Sequence, residues 1–172
     1  MASPGSQNIV FMPGLDGTGL SAEPLTRLFP PDAVVTIIRY PADKLLSFAE
    51  ILECAAEQFP AGVEPIVIAE SFSGPVAIEL IASRRVQAKC LILCATFARA
   101  PRPILFRISR FLGLAKLIRP VMPQHFFRIF LGKKYMASLI PLWERVHADV
   151  SPRVLSHRLG LINSIDVTKW LE

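Results

Sequence analysis

The sequence predicts an α/β fold, a parallel sheet of about four strands with flanking helices, followed by an all-helical stretch. Three observations predict it. Four short apolar runs alternate with stretches of helical periodicity. The runs are continuously apolar, as expected of strands buried on both faces of a parallel sheet. Charge also divides the chain: residues 1–98 hold six Lys/Arg against ten Asp/Glu, whereas residues 99–158 hold twelve against two, Glu144 and Asp149. All four runs lie in the acidic part. Three units follow: an α/β core at 1–98, a helical insertion at 99–150, and a C-terminal helix at 151–172 leading back toward the core.

The first run, residues 9–12, breaks into Pro13-Gly14-Leu15-Asp16-Gly17-Thr18-Gly19. Three glycines so close together let a backbone approach a ligand and adopt positive φ. The loop does not fit Gly-x-Gly-x-x-Gly, and no Lys-Ser/Thr follows it, which argues against nucleotide binding. A helical pattern at 22–28 follows, then a second run at 34–38. The next helix, at 48–59, carries Ile51, Leu52, Ala55 and Ala56 at helical spacing.

The third run, residues 66–69, ends in Ala69-Glu70-Ser71-Phe72-Ser73-Gly74-Pro75, and an apolar helical pattern (Val76, Ala77, Leu80, Ile81) begins at once. Strand, small-x-Ser-x-small, helix is the setting of a nucleophile elbow. Small residues flank the serine because the turn is too sharp for larger side chains. Ala69 and Ser73 stand where glycine is usual, and they are the next smallest residues. Ser71 is the candidate nucleophile. The same letters also suit a strand whose polar end caps a helix. Glu70, inside the elbow, points away from the serine hydroxyl and suits a structural role. The glycine-rich loop, about 55 residues earlier, fits the second wall of an oxyanion hole, or else an ordinary strand–helix loop.

The fourth run spans residues 89–95. From Arg99 onward, helical stretches are punctuated by prolines at 101, 103, 120, 123, 141 and 152. Ile104, Leu105, Ile108, Phe111, Leu112, Ala115 and Ile118 share one helical arc, with Arg102, Arg110 and Lys116 mostly across from it. A last helical pattern covers 154–170. Hydrophobic residues make up 52% of the chain, which excludes disorder. No uncharged apolar run of 18 residues is present to span a bilayer. Cys54, Cys90 and Cys94 fall at core-like positions and read as buried free thiols, without a partner cluster for a metal.

Taken together, the Pro13-to-Gly19 loop and the Glu70-Ser71-Phe72-Ser73-Gly74-Pro75 elbow resemble those of the α/β-hydrolase superfamily, in particular its esterase/lipase-like branch, and the likeness of layout covers essentially the whole chain. The resemblance implies a truncated or minimal α/β-hydrolase fold, with the 99–150 insertion as a cap over the site. It implies Ser71 as nucleophile and the N–H groups of Leu15 and Phe72 as the oxyanion hole. It implies hydrolysis of a small-molecule acyl ester or thioester, or the related acyl transfer, with neither metal nor organic cofactor. An apolar cap suggests a medium or long acyl chain.

Family order is serine, then acid, then histidine, on loops after two further strands, and these are absent before Glu172. Of the three histidines, His125 lies in the cap stretch and is the first candidate to hang over Ser71. His147, with Glu144 one turn back, and His157 fall in helical patterns; each of the three also reads as an ordinary surface or boundary histidine. A truncated hydrolase, a minimal enzyme with a relocated base, and a dimer completing its sites between chains are all compatible, truncation being favoured. The basic cap suits an anionic membrane surface or an acidic carrier protein; nucleic acid is not expected. The N-terminus lacks a basic start and an apolar signal core, so the expected location is cytoplasmic, peripheral at a membrane if the cap binds one. The strand at 90–94 carries no charge or proline to guard an open edge, so a homo-oligomer pairing there is expected.

Overall fold

A computed structural model describes residues 6–100, 144–145 and 148–171 of the chain. Four strands form one fully parallel sheet: β1 (Asn8–Met12), β2 (Val34–Ile37), β3 (Ile66–Glu70) and β4 (Cys90–Cys94), in the order β2-β1-β3-β4. Between them run α1 (Glu23–Thr26), α2 (Phe48–Ala56) and α3 (Ser73–Ala82); α4 (Pro152–Ile162) and a 3₁₀ turn (Thr168–Trp170) close the described chain. Each apolar run became a strand, and each helical pattern of the acidic part became a helix. The pattern at 154–170 breaks after Ile162, where Ser164 and Asn163 turn back onto Leu161 and Gly160.

Position in the sheet decides how each run is used. β1 is central and pairs on both sides, with Ile9 opposite both Val35 and Ile66. Its Ile9, Val10, Phe11 and Met12 are all buried, each contributing roughly 1.5–3 kcal/mol of apolar burial. β3, also central, buries Val67 and Ala69. The outer strands differ. Val34 of β2 and Ile92 and Leu93 of β4 are 44%, 45% and 44% exposed. The expectation of buried thiols fails for the same reason: Cys90 and Cys94 are exposed, and Cys54 is half-buried. No further strand among the described residues covers the outer side of β4, so side chains with core-like composition face outward.

Local chemistry fixes the helix ends. α2 opens with a reciprocal cap, in which the Glu50 N–H donates to Ser47 Oγ (3.3 Å) and the Ser47 N–H donates to Glu50 Oε2 (2.7 Å). Ile51, Leu52 and Ala55 then line its buried face. After the fourth strand, Val167 N–H donates to Ala98 O (2.8 Å) and Ala100 N–H to Ile165 O (3.3 Å), which brings the end of the chain back alongside the sheet. Arg145 adds a bidentate pair to Glu23 on α1, both bonds 2.8 Å. Most of the 99–150 stretch, including the proposed cap helix with Ile104 to Ile118, lies outside the described residues. None of the described helices is long and apolar enough to cross a membrane.

Candidate active site

The in-register pairing of β1 with β3 places Met12 beside Ala69, so the chain leaves both strands at one end of the sheet. The glycine-rich loop and the Ser71 turn therefore sit side by side, 55 residues apart in sequence. Ser71 has φ 48°, a left-handed conformation that costs a non-glycine residue about 1–3 kcal/mol and persists only where the surroundings impose it. The surroundings are visible. Ser71 N–H donates to Cys94 O at 2.9 Å, Thr96 Oγ1 donates to Ser71 O, and α3 begins two residues on. Gly74 is required because a Cβ there would run into the Thr96 side chain.

Ser73, where glycine is usual, is fully buried and ties the two loops together. Its hydroxyl donates to Pro13 O at 2.5 Å, and Tyr40 OH lies 2.6 Å from Ser73 Oγ. A hydroxyl has one proton to give, so Tyr40 is the donor to Ser73. Burial raises the Tyr40 phenol above its ordinary pKa and keeps that proton in place, against the opposing Ser73 bond and Arg158 charge.

The loop folds on itself through an Asx turn, Thr18 N–H to Asp16 Oδ1 (2.8 Å), and through Gly17 N–H to Gly14 O (3.1 Å). Gly17 and Gly19 have φ 73° and 75°. Among the described residues, no acceptor takes the backbone N–H of Leu15 or of Phe72. Those are the two groups that the family resemblance points to as oxyanion donors, each next to one arm of the junction. Glu70 turns toward the loop and away from the serine, accepting from Ser21 Oγ at 2.6 Å. Burial raises its carboxyl pKa; the Ser21 bond opposes this and the Asp16 charge adds to it.

One site residue is hidden by the basic character of its stretch. Arg158, on α4, is 2% exposed. Its guanidinium donates from Nη1 to Leu15 O (3.0 Å) and Asp16 O (2.6 Å), and from Nη2 to Pro41 O (2.8 Å), lying 5.5 Å from the centre of the Tyr40 ring. A signal was present in the sequence: Val154, Arg158 and Ile162 recur every fourth residue, and all three are buried. His157, next to it, faces elsewhere, with Nε2 2.9 Å from Leu46 O. Ser71 Oγ bonds none of the described side chains, and His125 and His147 lie outside the described residues. Among the described residues, no group of three His, Cys, Asp or Glu stands together as metal ligands would.

No protein-family model and no curated protein matches the chain. Solved structures do. MenH from S. aureus aligns with TM-score 0.66 at 14% identity, covering 96% of this chain and 71% of its own. MGS-M2, an alpha/beta hydrolase enzyme from a Medee basin deep-sea metagenome library, aligns with TM-score 0.66 at 13% identity, covering 99% and 69%. The enol-lactonase from Burkholderia xenovorans LB400 gives 0.66 at 14%, covering 98% and 69%. The chain thus has the α/β-hydrolase fold and spans about 70% of the length of these neighbours.

Proposed function

We propose that the chain is a carboxylic-ester hydrolase of the esterase/lipase kind, acting through an acyl-enzyme on Ser71. The observation that carries this reading is the junction itself: Ser71 at positive φ between β3 and α3, beside two backbone N–H groups without an acceptor among the described residues. A strained turn next to backbone donors that have no acceptor among the described residues suits acyl transfer and has no evident use in a simple strand–helix connection. The enol-lactonase neighbour carries its named activity on the same fold.

In this reading Ser71 Oγ attacks the ester carbonyl carbon while its proton passes to a base. The carbonyl oxygen becomes an oxyanion held by the N–H groups of Leu15 and Phe72. Collapse of the tetrahedral intermediate breaks the ester C–O bond, and the alcohol leaves with a proton. Water then attacks the acyl-enzyme, releasing the acid and restoring the Ser71 hydroxyl. The base is not among the described contacts of Ser71, and substitution of His125 and of His147 is the way to locate it.

A fluorophosphonate probe followed by mass spectrometry tests the reading. Ser71 is the expected sole adduct, and Ser71→Ala is expected to lower hydrolysis of p-nitrophenyl esters by at least roughly a thousandfold. Absence of labelling, labelling at another serine, or unchanged hydrolysis in Ser71→Ala overturns it.

A further inference from the structure

The Arg158 clamp reaches the oxyanion loop through a continuous chain of polarised groups. Arg158 Nη1 donates to Asp16 O at 2.6 Å. That carbonyl shares its peptide group with the Gly17 N–H, which donates to Gly14 O at 3.1 Å. The Gly14 carbonyl in turn shares its peptide group with the Leu15 N–H, which has no acceptor among the described residues. A positive charge therefore stands at one end of two hydrogen-bonded peptide units, and an N–H donor without an acceptor among the described residues stands at the other. Each link in such a chain strengthens the next, by about 10–30% per bond.

Three further features separate this from ordinary packing. Arg158 is buried, yet among the described residues it forms no salt bridge with a carboxylate. A buried cation without a paired anion is unfavourable, and Leu or Met would fill the same space without that penalty. All three of its bonds go to carbonyl oxygens, two of them on the loop that carries the Leu15 N–H. Finally, Gly17 leaves the room it needs, because a Cβ there would stand 2.5 Å from Nη1 and 2.8 Å from Tyr40 Cβ.

We propose that Arg158 is a positioning residue for acyl transfer. It fixes the Pro13-to-Gly19 loop in its oxyanion-binding shape and, through the Asp16–Gly17 and Gly14–Leu15 peptides, sharpens the Leu15 N–H as a donor. This rests on the reading of Ser71 and Leu15 above and adds the device that prepares the hole. It also makes α4, more than eighty residues from the elbow in sequence, part of the catalytic scaffold.

The test compares wild type, Arg158→Met, Arg158→Lys and Ser71→Ala. The readouts are steady-state hydrolysis of a p-nitrophenyl ester and the amide proton shift of ¹⁵N-labelled Leu15. Arg158→Met is expected to lower kcat roughly ten- to hundredfold with little change in KM, a part of the ~10²–10³ lost when one oxyanion donor is removed outright. The Leu15 amide proton should move upfield in the same variant and stay in place in Ser71→Ala. Arg158→Lys keeps the charge but not the planar fork, so it should fall between the two in both readouts; it decides the matter if Arg158→Met does not fold. Guanidinium ion, well below denaturing concentration, should restore part of the kcat of Arg158→Met. A folded variant with an unmoved Leu15 amide overturns the inference whatever the ester data show, as does a wild-type kcat. If Ser71 is not the nucleophile, Ser71→Ala hydrolyses the ester as fast as wild type, while the Leu15 shift in Arg158→Met still reports on the relay.

Discussion

The ends of β1 and β3 and the outer strand β4 are built from the same kind of sequence and used in opposite ways. At the centre of the sheet, Val10, Met12, Val67 and Ala69 are sealed from water. The loops that leave those strands are joined by Ser73 on Pro13 O, with Tyr40 on Ser73, Thr96 holding the serine turn and Arg158 holding the glycine-rich loop. At the edge, Cys90, Ile92, Leu93 and Cys94 are apolar or weakly polar and yet exposed. Pairing on both sides is the difference. It clamps a strained serine turn at the centre and leaves β4 with one flank that the described residues do not cover.

That contrast is strongest in packing. Met12→Ala, at a fully buried position, should destabilise the fold by roughly 2–5 kcal/mol, whereas Leu93→Ala, 44% exposed, should cost under about 1 kcal/mol. Urea denaturation of both variants measures the gap, and equal losses would remove the distinction between centre and edge.

A smaller effect is expected where the two loops are joined. Ser73→Ala leaves the Pro13 carbonyl and the Tyr40 hydroxyl without their shared partner. Stability should fall by about 1–3 kcal/mol, the usual cost of a buried unpaired polar group. Ester hydrolysis should drop more than the melting point alone explains, because Pro13 leads directly into the Leu15 loop. Ser73→Gly, the residue usual at this place in the elbow, restores neither bond, and it should behave like Ser73→Ala in both assays. Wild-type kinetics in either variant would detach the joint from function.

The mildest prediction concerns thiols. In the native protein Cys90 and Cys94 should react readily with a disulfide reagent. Cys54 should lag, being half-buried, with its pKa raised by burial and its Sγ 3.7 Å from Arg39 O. Three equal rates at neutral pH would contradict the exposed state of β4.

Much of this was legible in the amino-acid order alone. The continuous apolar runs gave all four strands to within about a residue or two at each end, because burial on both faces of a parallel sheet removes any need for alternation. The Ala69-to-Pro75 segment announced a sharp turn, since steric limits on flanking side chains are local and appear as small residues. The reciprocal cap between Ser47 and Glu50 is also a local pattern, a serine followed three residues later by a glutamate. What the sequence could not order was exposure. The run at Cys90–Cys94 reads as core by composition, and only its place at the end of the strand order β2-β1-β3-β4 turns it outward.

Tertiary structure alone decided the partners of the elbow. Ser73 passes as a mere substitute for glycine until its hydroxyl is seen on Pro13 O, 60 residues away. Arg158 counts as one more cation in a basic stretch until its guanidinium is found on Leu15 O and Asp16 O, 143 and 142 residues back. Periodicity and turn sterics act between near neighbours and so are written in the local sequence. A buried cation's choice of carbonyls depends on which loops the folded sheet brings beneath it, and no local pattern carries that information.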